Sequence, residues 1–112
     1  MADFRDLNVW QKSMTLARDI YLFAKKLPAD EKFGLISQMR RCAISIPSNI
    51  AEGSKRRTKQ DFTQFLKIAS GSAAELETQL LLSQDIYKVL ASEQLQALKD
   101  VQRMLEGLMK KL

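Results

Sequence analysis

Histidine is absent from this sequence, and with it go the usual general base, the histidine-dependent catalytic triads and the Glu-x-x-His di-iron sites that helical bundles house. Zinc would find one thiolate, Cys42, and no imidazole. Neither a GxxxxGK[ST] loop nor a GxGxxG fingerprint occurs, so neither common nucleotide site is supported. Glu75 and Glu77 are two residues apart, which on a helix points them away from one another and makes them a poor acid and base pair. These absences predict a protein that is not an enzyme, with no catalytic residues, cofactor or metal.

One cysteine excludes an internal disulfide, and the apolar neighbours of Cys42 predict a buried small hydrophobe in place of a reactive thiol. No apolar run approaches the roughly eighteen residues of a membrane span, and the opening MADFRDLNVW is charged and aromatic, unlike a signal peptide. A cytoplasmic protein without membrane contact is expected.

What is present favours helix. Glycine occurs four times and proline twice, aromatic residues make up 7% of the chain, and 46% of its 112 residues are apolar. The reading is one all-α domain spanning residues 1–112, with a modest core.

The first helix is expected from Asn8, where Asn8 and Gln11 resemble a capping box, to Leu27 ahead of Pro28. Val9, Trp10, Ser13, Leu16, Ala17, Ile20, Ala24 and Leu27 form its inner stripe. Asp30 is placed as the cap of the second helix, which Gly53 and the charged loop Ser54 to Arg57 then end. A third helix starts with Thr58 and Asp61 as a capping box and runs to about Leu90. Its apolar positions, Phe62, Leu66, Ala69, Ala73, Leu76, Leu80, Ser83, Tyr87 and Leu90, form a heptad seam, and its length of about 50 Å predicts an elongated molecule. The small residues Ser70 to Ala74 would let another helix approach closely. The last helix, from Ser92, carries two apolar tracks. Leu95, Leu98, Leu105, Met109 and Leu112 form one, and Ala97, Val101, Met104 and Leu108 the other. So wide a stripe fits either self-association or a helix set deep in a small bundle.

The stretch SIPSNIAEG, Ser45 to Gly53, places Pro47 inside the second helix, where it removes one backbone bond and crowds the carbonyl of Ala43. Ser45, Ser48 or Asn49 can satisfy the freed carbonyl. Gln38, Arg41, Ser45, Ser48 and Glu52 recur at helical spacing beside the apolar track Ile36, Met39, Ala43, Ile46 and Ile50. That polar track reads as a seam that holds the helix in register, or as a surface facing a pore, a groove or a neighbouring subunit.

The formal charge of +5 is unevenly placed: Arg40, Arg41, Lys55, Arg56, Arg57 and Lys59 face only Glu52 in the same interval. Such a field favours polyanions. Without aromatic residues interleaved with the cations, phosphate contacts are expected and base reading is not.

Three stretches, FRDLNVWQKS, RRCAISIPSNIAEGSKRR and FLKIASGSAAELETQL, together resemble the four-helix-bundle protein family encoded in intervening sequences of bacterial large-subunit ribosomal RNA genes. More remotely they are similar to the accessory protein of diversity-generating retroelements. The resemblance covers essentially the whole chain. It implies an up-down four-helix bundle that assembles as a barrel-like homopentamer with a basic surface toward nucleic acid, and it supplies no catalytic residues. The family's central motif falls on Arg40, Arg41, Ser45, Ile46, Pro47, Ser48, Asn49, Ile50, Ala51, Glu52 and Gly53, with Cys42 where alanine is more usual. It implies an architectural role for Ser45, Pro47, Ser48, Asn49, Glu52 and Gly53.

Two functions follow as expectations. One is a non-enzymatic homo-oligomer in which Arg40, Arg41, Lys55, Arg56, Arg57 and Lys59 contact the phosphates of RNA or DNA. The other is a scaffold or adaptor whose apolar faces and basic rim hold a protein partner, such as a reverse transcriptase in the retroelement case.

Overall fold

The computed structural model describes residues 3–112; Met1 and Ala2, which the expected 1–112 domain includes, lie outside the described residues. Four helices follow in order: α1 (Asn8–Ala24), α2 (Leu35–Ser54), α3 (Lys59–Tyr87) and α4 (Ser92–Lys111). Short 3-10 turns at Phe4–Asp6 and Ala29–Glu31 precede α1 and α2, and the described residues contain no strand. Each helix packs against two others, α1 on α2, α2 on α3, α3 on α4 and α4 on α1, while α1 and α3, like α2 and α4, sit diagonally apart. Cross-links such as Ser45 with Ser72 near mid-helix and Glu31 with Tyr87 toward one end show α2 and α3 running antiparallel. The result is a four-helix bundle measuring 43 × 23 × 19 Å. Its long dimension is the length of α3, whose 29 residues rise about 43 Å.

The core follows the predicted stripes. Val9, Leu16, Ile20 and Ala24 of α1 meet Met39, Ala43, Ile46 and Ile50 of α2 and the seam from Phe62 to Leu80 of α3. Full burial of such side chains stabilises by roughly 1.5–3 kcal/mol each for the larger ones. On α4, Leu98, Val101 and Leu105 are buried, and Leu95, Ala97, Met104, Leu108, Met109 and Leu112 pack partly buried against the same core. Both tracks of the last helix therefore pack against the core of the same chain, fully at Leu98, Val101 and Leu105 and in part elsewhere.

Several local expectations are corrected. Asn8 and Gln11 form no capping box: Gln11 Nε2 instead donates to the Arg5 carbonyl at 2.8 Å, and Asp3 caps the preceding 3-10 turn through the Arg5 amide. Glu31, not Asp30, serves the start of α2, its carboxylate accepting the Leu35 amide at 3.0 Å. Of the second box, the Asp61 amide donates to Thr58 Oγ1 at 3.0 Å. Helix α3 stops at Tyr87 because Lys88 adopts the left-handed conformation, φ 58°, and the Gln84 side chain accepts the Ala91 amide. Leu90 consequently leaves the seam and is 79% exposed.

Helix α2 ends at Ser54, one residue past Gly53, as expected, but Gly53 is not a left-handed cap. It lies buried in the helix, where a Cβ would stand 2.7 Å from Phe65 Cβ and 2.9 Å from Phe62 Cδ1. The absence of a side chain brings α2 against the first turns of α3.

Pro47 sits in an unbroken α2, buried on its α1 side. The polar seam beside it faces α3: Ser45 and Ser72 hydroxyls bond at 2.8 Å, and Asn49 Nδ2 donates to both the carbonyl and the hydroxyl of Ser45. The side-chain bond thus goes to the Ser45 carbonyl and not to that of Ala43. Further along, Gln79 Nε2 contacts Cys42 Sγ, and that thiol contacts Glu75. Burial pushes the Cys42 thiol above its ordinary range. Ser48 and Glu52 stay outside this seam and are exposed, Ser48 on the side of α2 that faces α1. Of the small residues in Ser70 to Ala74, Ser72 and Ala73 make the close approach, while Gly71 faces open space.

Candidate nucleic-acid interface

Up-down connectivity decides where the charges go. The turn before α1, the α2–α3 connection and the end of α4 all lie at one end of the bundle. There Arg5, Lys55, Arg56, Arg57, Lys59, Lys110 and Lys111, seven cations, face four carboxylates, Asp3, Asp6, Glu52 and Asp61. At the opposite end Lys25, Lys26, Lys32 and Lys88 are balanced by Asp30, Glu31, Asp85 and Glu93. The molecule is electrostatically polarised along its axis. Two of the four carboxylates at the basic end are already engaged, Asp3 with Arg5 at 2.7 Å and Glu52 with Arg56 at 2.8 Å. Hydrogen bonding from the Arg5 amide, aided by the charges of Arg5 and Lys55, holds the Asp3 carboxyl below the usual carboxylate range.

Lys55, Arg56, Arg57 and Lys59 lie together on an exposed turn at the amino-terminal end of α3, where the helix dipole adds positive potential. Among the described residues Lys55, Arg57 and Lys59 make no ion pair. Arg40 and Arg41 are elsewhere: fourteen or more residues of α2 place them about 20 Å along the axis from Lys55. Arg41 is exposed, whereas Arg40 lies across the Tyr21 ring, 4.7 Å from its centroid, and donates to the Tyr21 carbonyl at 3.0 Å. Its guanidinium joins α2 to α1. Sequence order had joined what the helix separates, and had missed Arg5, Lys110 and Lys111, which only the antiparallel packing brings to this end.

Aromatic residues also meet the cations, contrary to the linear reading. Arg56 stacks over Phe65 at 4.7 Å, and Arg5 and Lys55 approach the Phe4 ring at 4.7 and 5.9 Å. Phe4 packs edge-on against Trp10, ring centroids 5.3 Å apart. From these two rings an open groove of about 550 Å³ runs between α1 and α2, past Met14, Tyr21, Ile44 and Pro47.

On the outer side of α3, Leu82 and Ile86, one turn apart, form an exposed apolar pair, and Ile68 stands about 21 Å further along the helix; each is between 42% and 54% accessible. No helix of the described residues is long and apolar enough to cross a membrane.

Fold and charge together define a small basic four-helix-bundle protein. The chain belongs to the family described as 23S rRNA-intervening sequence protein, whose model matches residues 5–110. No curated protein matches it.

Proposed function

We propose that this protein is a non-enzymatic, self-associating protein that binds nucleic acid, RNA or DNA, through phosphate contacts at its basic end. The observation that carries this reading is the gathering of Lys55, Arg56, Arg57 and Lys59 with Arg5, Lys110 and Lys111 at one end of a bundle whose other end is neutral. A polyanion is the partner such an asymmetry favours, and repetition of the patch in an oligomer multiplies weak contacts. Self-association has its support in the exposed Ile68, Leu82 and Ile86, and the pentameric ring implied by the family resemblance is the assembly we favour.

The experiment is binding of a labelled RNA across a salt series, with wild type beside Arg56→Glu/Arg57→Glu. Each phosphate contact contributes close to one unit of slope in log affinity against log salt, so the double reversal is expected to flatten the slope and weaken binding at low salt by at least about tenfold. An affinity independent of salt, or unchanged in the double variant, overturns the proposal. The same exposed apolar residues of α3 favour a second reading, a scaffold or adaptor holding a protein partner; recovery of a stable protein complex free of nucleic acid is its distinguishing result.

A further inference from the structure

The groove between α1 and α2 has a composition that phosphate binding alone does not use. Phe4, Trp10, Met14, Tyr21, Ile44 and Pro47 supply aromatic and apolar surface, and among the described residues Arg18 is the only charged one that lines it. Among the described residues no carboxylate lines the groove, Arg5 and Lys55 stand over Phe4 at one end, and Arg40 covers the Tyr21 ring. Thr15 and Ser48 add hydroxyls that both donate and accept hydrogen bonds.

We infer that this groove receives unpaired bases, so that the nucleic acid bound is single-stranded at the point where its backbone reaches Lys55. The inference rests on the nucleic-acid reading above and specifies the substrate class. Every base offers a flat π face and an edge of donors and acceptors, and an aromatic floor with hydroxyls and flanking cations is complementary to both. A duplex keeps those faces stacked and offers phosphates, sugars and base edges in its grooves but no free π face for the groove to receive. The groove is large enough for one base or two, within the range of small-molecule sites. It is also continuous with the basic end, since Phe4 touches the groove on one side and Arg5 and Lys55 on the other.

Trp10 is the only tryptophan in the chain and so reports on the groove directly. The test uses the full chain with a mixed-sequence RNA strand, alone and annealed to its complement, followed by Trp10 fluorescence and by an independent binding measurement. The expected result is quenching by the single strand and not by the duplex, with the single strand binding about tenfold tighter at moderate salt. Ile44→Glu, at a position 46% exposed, places a carboxylate in the groove without disturbing the core, which a melting curve checks. It is expected to remove the quenching and the single-strand preference while duplex binding persists. Equal binding of both forms with Trp10 unchanged overturns this inference and leaves the phosphate reading standing. Failure of both forms to bind at low salt overturns the phosphate reading and this one with it. A Trp10 emission shift on dilution without RNA means that a second copy of the chain covers the groove, and also overturns the inference.

Discussion

One carboxylate oxygen of Glu31 accepts the amide of Leu35 at the first turn of α2, and the other accepts the hydroxyl of Tyr87 at the last turn of α3. The neutral end of the bundle is clasped by this single side chain. The Tyr87 hydrogen bond first, and the Leu35 amide second, hold the Glu31 carboxyl below its ordinary value. A carboxyl lowered by folding contributes stability that is present above its unfolded pKa and is lost as pH falls through the folded value. Melting temperature is expected to drop on acidification below the usual carboxylate range, and to drop less steeply in Glu31→Gln. At the alkaline side Tyr87, pushed up to about 12 by its hydrogen bond to Glu31, contributes stability that is full below the ordinary tyrosine pKa and is lost as pH rises from there toward about 12. Tyr87→Phe is expected to remove this alkaline dependence.

Glycines 53 and 71 should respond in opposite directions. Alanine at Gly53 forces its Cβ onto Phe62 and Phe65, and overpacking of this kind costs about 1–3 kcal/mol. Alanine at Gly71 meets nothing within 4 Å and removes an unfavourable mid-helix glycine, a gain of about 0.5–1 kcal/mol. Urea titration of the two variants measures both.

The pair Ser45 and Ser72 is coupled. Ser45→Ala leaves the buried Ser72 hydroxyl without its partner and the Asn49 amide with the Ser45 carbonyl alone, at an expected cost of about 1–3 kcal/mol. Ser45→Ala with Ser72→Ala is expected to cost less than the sum of the single changes. A double-mutant cycle by chemical denaturation gives the coupling energy, and a value of zero removes the seam's structural role.

Arg40 and Arg57 should separate stability from binding. Arg40→Ala removes a stacked and hydrogen-bonded guanidinium between two helices, an expected loss of about 1–2 kcal/mol in stability that outweighs its effect on RNA affinity. Arg57→Ala is expected to do the reverse. Melting curves and a salt-resolved RNA titration on both variants decide it.

Periodicity was the most legible signal. The α3 seam from Phe62 to Ser83 and the α2 track from Met39 to Ile50 are buried as their spacing predicts, because burial of one face is what a repeat of three and four encodes. Ends were less legible. Gly53 carries the composition of a terminator, yet its bareness answers to two phenylalanines that fold back from α3. Lys88 has nothing in its type to mark a left-handed stop, and the Gln84 bond to Ala91 that accompanies it spans seven residues. The candidate interface was legible only as a local run. Lys55 to Lys59 are adjacent in sequence, but Phe4, Arg5 and Lys111 reach the same end through tertiary packing, and the helical rise carries Arg40 away.

The order of packing has a kinetic consequence. Helices α2 and α3 are joined by the four residues Lys55 to Thr58, so their contacts close a short loop, whereas contact between α1 and α4 spans almost the entire chain. Loop-closure entropy rises with separation, and local contacts reward the chain earlier. The α2–α3 hairpin, with Gly53 seated on Phe62 and Phe65, is therefore expected to act as the folding nucleus, and the α1–α4 seam to close last and open first. Native-state amide exchange should rank them in that order, with α1 and α4 exchanging at lower opening energies than the hairpin they enclose.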